Sequence, residues 1–239
     1  IDEVFREVES GNAHYGVVPV ENSTEGMVNT TLDSFVHSRL IINGEVELRI
    51  HHHLLIGKAT KPEAITRIYS HQQSLAQCRQ WLDAHFPKAE RVAVSSNAEA
   101  AKRLQHEWHA AAIAGETAAE IYSLEKHAEN IEDNPHNTTR FLIVGNTHVP
   151  PSGDDKTSII VSMRNKPGAL YELLEPFYKN GISLTRIETR PAREGTWAYM
   201  FFIDFEGHEN DEVVRSVMKE VEDKAVYVKR LGSYPKAVL

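Results

Sequence analysis

The sequence predicts an α/β protein in two parts: a region of alternating strands and helices, then a ferredoxin-like βαββαβ module. Three observations predict it. Short apolar runs alternate with stretches of helical spacing as far as residue 145, the order that builds α/β layers. Two prolines, a glycine and two aspartates punctuate residues 148–155, which read as a linker. Beyond it the patterns run strand, helix, strand, strand, helix, strand, the split βαβ order.

In the first region, residues 1–11 (IDEVFREVESG) place Val4, Phe5 and Val8 on one helical face. The chain opens inside that pattern on Ile1, and the expectation is a fragment whose natural start lies upstream. Residues 15–20 (YGVVPV) read as a buried strand, followed by a turn-rich segment, residues 31–36 and a long extended stretch over 40–55. Residues 67–70 are a short strand; Leu75, Cys78, Leu82 and Phe86 follow helical spacing. Residues 91–94 are a strand, and Ala98, Ala101, Leu104 and Trp108 repeat the helical period. Residues 110–114 are strand-like, 118–124 helical, and 141–145 (FLIVG) close the region as a strand. Such alternation predicts largely parallel sheets, with ligands in crevices at the carboxyl ends of strands.

In the second part, residues 156–164 form the first strand, and Leu170, Leu173, Leu174, Phe177 and Tyr178 mark a helical stripe. Residues 182–190 and 196–205 alternate as strands joined by a turn at Arg193-Glu194-Gly195. Val213, Val214, Val217, Met218 and Val221 give a second helix, and residues 225–231 the last strand.

Composition narrows the function. With 41% hydrophobic and 25% charged residues, the chain of 239 residues has the profile of a soluble globular protein. A net charge of −8 and the lack of any run of five or more Lys/Arg argue against a nucleic-acid partner. No apolar stretch approaches the ~18 residues of a membrane span, and the first residues carry no basic-then-apolar signal pattern. Cys78 has no second cysteine to pair with, which fits a reducing, cytoplasmic compartment.

Three segments set polar residues beside buried-strand patterns. Residues 16–26 (GVVPVENSTEG) run from an apolar strand into Glu21-Asn22-Ser23. Residues 69–78 (YSHQQSLAQC) put Ser70 and His71 at a strand end, with Gln73 and Gln77 one turn apart on the next helix. Residues 134–145 (NPHNTTRFLIVG) place Asn137, Thr139 and Arg140 just before a strand. Each alone is equally a turn former or helix cap. Together and in order they resemble prephenate dehydratase, whose hallmarks are the PVENS-xx-G, YSH…QC and N-x-T-R-F stretches. Residues 95–104 and 111–124 are similar to it as well.

The resemblance implies a two-lobed fold similar to type II periplasmic binding proteins, truncated at its N-terminus. The dehydratase domain would span 1–148, with lobe one about 1–52 plus 137–148 and lobe two about 53–136. The family's opening strand and GPxGTFS-like loop have no counterpart here, and Gln72 stands where the family commonly has proline. Similarity to proteobacterial forms implies a natural chain with an upstream chorismate mutase domain.

The family converts prephenate to phenylpyruvate with loss of carbon dioxide and water. Departure of hydroxide from the ring is the poor step, so a proton donor beside that oxygen is the main requirement. The resemblance points to Thr139 as that donor, acting by hydrogen bonding and electrostatics. It implies Asn22, Ser70 and Gln77 as substrate-orienting residues, with Ser23, Asn137, Arg140 and Phe141 beside them. Arg140 is expected to pair with the pyruvyl carboxylate through its planar fork. No cofactor is signalled: GxGxxG, P-loop and Cys-rich motifs are lacking. Of His51-His52-His53 only the first and third share a strand face, with no carboxylate pair to complete a metal set, so no metal is expected. Cys78 lies on an apolar stripe and reads as packed.

In the second part, Asn165-Lys166-Pro167-Gly168 joins a strand to a helix whose exposed N–H groups suit a carboxylate. Gly168-Ala169-Leu170 and Glu188-Thr189-Arg190-Pro191 resemble the GAL and ESRP motifs of the ACT domain in these dehydratases, over about residues 156–233 of an ACT region spanning 156–239 after a 149–155 linker. The resemblance implies L-phenylalanine as an inhibitor bound between ACT domains, and a homodimer or homotetramer. The implied effector residues are Asn165, Pro167, Gly168, Ala169, Leu170, Glu188, Thr189 and Arg190. A non-catalytic small-ligand receptor and an amino-acid-sensing adaptor are the competing readings; prephenate turnover and DNA binding would separate them.

Overall fold

The structure is a computed structural model that describes residues 1–191 and 199–237. Compactness divides it into Ile1–Leu48 with Thr139–Leu239, and Arg49–Thr138. The stretch read as a linker, 149–155, therefore runs inside the first unit, and Asn137, expected in the first lobe, belongs to the second.

The first unit opens with helix α1 (Asp2–Glu9), which buries Phe5 and Val8. Strand β1 (Tyr15–Asn22) is extended by the short β2 (Gly26–Met27), and α2 (Asn29–His37) buries Thr31, Leu32 and Phe35. With β3 (Ile41–Arg49) and a returning strand over Thr138–Gly145, these form a four-stranded sheet. The returning strand lies between β1 and β3 and is antiparallel to β1.

The second unit carries β4 (His53–Ile56), β5 (Arg67–His71), α3 (Gln72–Gln77), α4 (Arg79–His85), β6 (Glu90–Val94), α5 (Asn97–Arg103), β7 (Ala110–Ala114), α6 (Glu116–Tyr122) and β8 (Glu125–Ala128). Its sheet has the order β6-β5-β7-β4-β8. β5 runs parallel to β6 and β7, but β4 is antiparallel to β7 and β8, so the sheet is mixed and not largely parallel. The extended stretch over 40–55 is two strands, one in each unit. The helix predicted through Leu75–Phe86 breaks at Cys78, whose φ of −111° and ψ of 16° leave the helical basin. α5 stops at Arg103, which leaves Trp108 off the helix and 65% exposed.

The returning strand Thr138–Gly145 is β9. After it come β10 (Asp155–Ser162), α7 (Ala169–Lys179), β11 (Leu184–Pro191), β12 (Tyr199–Glu206), α8 (Glu212–Lys224) and β13 (Tyr227–Pro235). The sheet order β11-β12-β10-β13 with antiparallel neighbours is the predicted ferredoxin-like module. The turn read at Arg193-Glu194-Gly195 lies outside the described residues.

Why consecutive residues Ile159, Ile160 and Val161 of β10 are all apolar follows from its two covered faces. Ile159 and Val161 pack under α7 and α8 with Leu173, Phe177, Val217 and Met218. Ile160 faces the other way, with Phe202, Leu231 and Tyr234, into one core shared with Phe5, Val18, Phe35, Ile42 and Leu142. The module and the β1–β9–β3 sheet are thus one packed body. Among the described residues no helix is long and apolar enough to cross a membrane.

Candidate functional site

In the first unit, β1 and β9 pair so that Asn22 stands opposite Thr139 and Glu21 opposite Arg140. Asn22 Nδ2 donates to Thr139 Oγ1 at 2.8 Å. The other end of the Asn22 amide is fixed: Oδ1 accepts the N–H groups of Thr24 and Glu25 at 2.9 and 3.0 Å. This Asx turn selects the polar run after β1, because the short amide can satisfy the backbone where the strand ends. An oxygen that accepts from Asn22 directs its own proton elsewhere, so Thr139 is presented as a donor. Ser23 lies in the exposed turn beside them.

Strand alternation sorts the Thr139-Arg140-Phe141 segment. Leu142 and Val144 belong to the core, so Arg140 shares their face while Thr139 and Phe141 take the other. Arg140 is not available to a substrate carboxylate, contrary to the sequence expectation. Its Nε donates to Glu45 at 2.6 Å, Nη1 to Asp204 at 2.9 Å and Nη2 to the Tyr234 hydroxyl at 3.2 Å, with only 7% of the side chain exposed. Burial pushes the guanidinium toward deprotonation, but Asp204, Tyr234 and Glu45 outweigh it and hold the charge more firmly than usual.

The second unit holds the other candidates. Ser70 is fully buried; its hydroxyl meets Ile113 O and Asn97 Oδ1, each at 2.8 Å. It therefore ties β5 to β7 and α5 and does not present itself to a ligand, which corrects its expected role. Asn97 is the hub, accepting also from the His71 N–H and exchanging hydrogen bonds with Ser74. Sequence reading missed Asn97, because only the fold brings the N-terminus of α5 to the end of β5.

Gln77 Oε1 receives His52 Nε2 at 2.8 Å and Asn137 Nδ2 at 3.2 Å. Since that oxygen only accepts, His52 carries its proton on Nε2 and the Gln77 NH2 is turned outward. His52 and Glu132 were also missed: Glu132 accepts the His52 backbone N–H at 2.9 Å and His51 Nδ1 at 2.7 Å. Burial pushes the Glu132 carboxyl up, yet those two donors leave it below its ordinary range. Cys78 is fully buried, and burial drives its thiol pKa upward, which suits packing and not nucleophilic attack. Among the described residues no three His, Cys, Asp or Glu side chains could hold a metal ion.

In the ferredoxin-like module, Asn165 and Pro167 lie in the loop before α7, and Gly168 adopts φ +81° as its N-cap. Ala169 begins the helix, and Leu170 is 44% exposed. β11 alternates, so Glu188 and Arg190 share a half-covered face and Thr189 takes the exposed one. Arg190 and Ser162 both stand opposite Met200, placing them two strand spacings, about 10 Å, apart. The loop and the Glu188–Arg190 segment thus lie at the same end of the sheet, with β12 between them. Arg190 is partly committed, with Nη2 2.8 Å from Asp33 of α2.

A family model described as prephenate dehydratase matches residues 1–149, and one described as ACT domain matches 157–223. The bifunctional chorismate mutase/prephenate dehydratase of Stutzerimonas stutzeri is 68% identical over 239 residues, covering 100% of this chain. The chain spans 66% of that protein's length. The prephenate dehydratase of Arthrobacter aurescens, solved in complex with L-Phe, aligns with a TM-score of 0.89 at 36% identity, over 98% of this chain and 79% of that one. GqqA, described as a novel type of quorum quenching acylase, also aligns at 0.89, with 29% identity over 99% of this chain and 87% of its own. One fold therefore carries differently described activities, and architecture alone does not choose between them. The family models and the relatives show the family: the chain belongs to the prephenate dehydratase family and carries an ACT domain.

Proposed function

We propose that this chain is the dehydratase and regulatory part of an enzyme that converts prephenate to phenylpyruvate, in L-phenylalanine biosynthesis. The observation that carries the reading is the Asn22–Thr139 hydrogen bond, which leaves the threonine proton to be donated. In the reaction the ring C–C bond to the carboxylate breaks and its electron pair completes the aromatic ring. The ring C–O bond breaks in turn, and the departing oxygen takes up a proton to leave as water. Thr139 hydrogen-bonds that oxygen as negative charge develops on it, and the Asn22 amide stabilises the charge shared back onto Thr139 Oγ1. Phe141, on the Thr139 face of β9, offers apolar surface to the ring, and Ser23 is a neighbouring hydroxyl. Gln77, oriented by His52 and Asn137, supplies an NH2 donor to a substrate oxygen. Arg140 and Ser70 act through what they hold in place.

L-Phenylalanine is the proposed inhibitor, bound by Asn165, Pro167, Gly168, Ala169, Leu170, Glu188, Thr189 and Arg190. The N–H groups at the start of α7 suit its carboxylate. The separation of the loop from Glu188–Arg190 by β12, together with the edge position of β11, supports a site completed by a second ACT domain in a homodimer or homotetramer. A cytoplasmic location agrees with the unpaired Cys78. The test is the absorbance of phenylpyruvate formed from prephenate by the natural full-length protein, with and without L-phenylalanine. Thr139→Ala is expected to lose most of kcat while still binding prephenate; near-normal turnover would overturn the assignment.

A further inference from the structure

Two cross-strand pairs face each other at the junction of the ACT sheet with the β1–β9 sheet. In one, Glu21 stands opposite Arg140; in the other, Arg186 stands opposite Asp204. The charges are complementary crosswise. Arg140 Nη1 donates to Asp204 Oδ2 at 2.9 Å, and Arg186 Nη2 donates to Glu21 Oε2. Glu21 and Arg140 are the chain neighbours of Asn22 and Thr139. Each half of the proposed catalytic pair is therefore one residue from an ion pair into the ACT sheet. Arg186 sits four residues before Arg190 on β11, the strand that carries the effector motif.

The quartet is incompletely closed. Arg186 Nε is buried without a hydrogen bond and lies 3.6 Å from Asp204 Oδ2, the oxygen already held by Arg140. The register of β11 against β12 shifts beside it, between Leu184 and Arg186. A buried donor left short of its acceptor favours any movement of β11 that closes the gap. Closing it sets Arg186 in competition with Arg140 for one carboxylate oxygen and pulls on Glu21. Of the other ties across this junction, Lys156 to Glu45 at 2.7 Å and Lys229 to the Phe35 and Val36 carbonyls do not involve β11. Arg190 of β11 reaches Asp33 of α2 at 2.8 Å, which is no neighbour of Asn22 or Thr139, and Arg140 reaches the Tyr234 hydroxyl of β13 at 3.2 Å. Arg186 thus joins β11 to a neighbour of the pair.

We propose that Arg186 is a positioning residue for the Asn22–Thr139 pair, and the point at which occupancy of the ACT site on β11 is passed to the catalytic strands through Glu21 and Asp204. This rests on the dehydratase reading above and adds to it the route of regulation. Because the tie acts on geometry, it affects turnover more than substrate affinity.

The test compares Arg186→Gln and Arg186→Lys in the natural full-length protein. For Arg186→Gln, kcat is expected to fall about tenfold with KM for prephenate little changed. The inhibition reached at saturating L-phenylalanine is expected to fall well below that of the wild type while calorimetric L-phenylalanine affinity stays at the wild-type value. Arg186→Lys restores part of both. Wild-type kcat and inhibition in Arg186→Gln would overturn the proposal. So would a loss of L-phenylalanine binding equal to the loss of inhibition, since Arg186 would then be an effector ligand. If the wild-type protein makes no phenylpyruvate, the proposed reaction fails by itself. The coupling is then read by hydrogen exchange: L-phenylalanine should change protection at residues 20–22 and 139–141 in the wild type and not in Arg186→Gln. An unchanged pattern in the wild type overturns it.

Discussion

Arg140 Nε donates to Glu45 Oε2 at 2.6 Å, joining β9 to β3 in a setting where neither side chain is more than 7% exposed. Glu45 also accepts Lys156 Nζ at 2.7 Å and the Ala237 N–H at 3.0 Å. Burial pushes its carboxyl upward, but Arg140, Lys156 and the Ala237 amide outweigh that and leave the pKa below the ordinary carboxylate value. A depressed folded-state pKa means stabilisation that is present above the unfolded value, near ~4.3, and lost as pH falls through the folded one. Urea midpoints should therefore fall on acidification below about pH 4, and more shallowly in Glu45→Gln. At neutral pH Glu45→Gln should lose about 3–5 kcal/mol, because Arg140 and Lys156 lose a buried counterion. Equal pH slopes for the two proteins would refute this account.

The direction of the Asn22–Thr139 hydrogen bond makes a sharper prediction. Asn22→Asp keeps the shape and the Asx turn but replaces a donor by an acceptor. Thr139 would then give its proton to the new carboxylate and not to substrate. Turnover should fall about a hundredfold above the carboxylate pKa, more than in Asn22→Ser, and recover partly as pH drops. Steady-state pH profiles of the two variants decide the matter; an Asn22→Asp profile parallel to wild type would remove Asn22 from the role.

Much of this arrangement was legible in the sequence, and the exceptions are physical. The ACT module was readable because its strands and amphipathic helices obey their periods over long stretches. Arg140 was readable in principle: Leu142 and Val144 mark the core face of β9, and a residue two before Leu142 shares it. The motif suggested a substrate ligand, but strand geometry assigns it to the protein interior. β8 was not seen, since Glu125, Lys126 and His127 form a polar edge with no apolar run. The break at Cys78 and the gathering of Ser70, Ser74 and His71 around Asn97 depend on long-range packing that no local pattern encodes.

His52 should matter through Gln77. Its Nε2–H and the Asn137 amide both point at Gln77 Oε1, which holds the NH2 outward. His52 Nδ1 is buried without a partner, so the ring is held there at a cost, and its other nitrogen is the useful one. His52→Leu fills the space and frees the amide to flip. Its kcat/KM for prephenate should fall about tenfold, the worth of one hydrogen bond. The same substitution should cost nothing further in a Gln77→Ala background, because the effect runs through that side chain. Additive losses in the double variant would show that His52 acts independently.

Gly232 lies close against the β3 backbone. It lies in β13 with φ +129°, beside the register shift between Ser158 and Ile159 of β10. A Cβ there would lie 2.7 Å from Ile42 O and 3.1 Å from Ile42 N. Both obstacles are backbone atoms of a sheet strand, so no side-chain rotation relieves them, and the conformation is itself unfavourable for any L side chain. Gly232→Ala must then move β13 away from β3, loosening the core that Leu231 and Tyr234 share with Ile42 and Phe35. The expected loss is about 1–3 kcal/mol, read as a lower urea midpoint. Arg140 should feel the same displacement through Tyr234, so inhibition by L-phenylalanine should weaken even where binding persists. A Gly232→Ala protein with wild-type stability and wild-type inhibition would show that the close approach of these two strands is incidental to both.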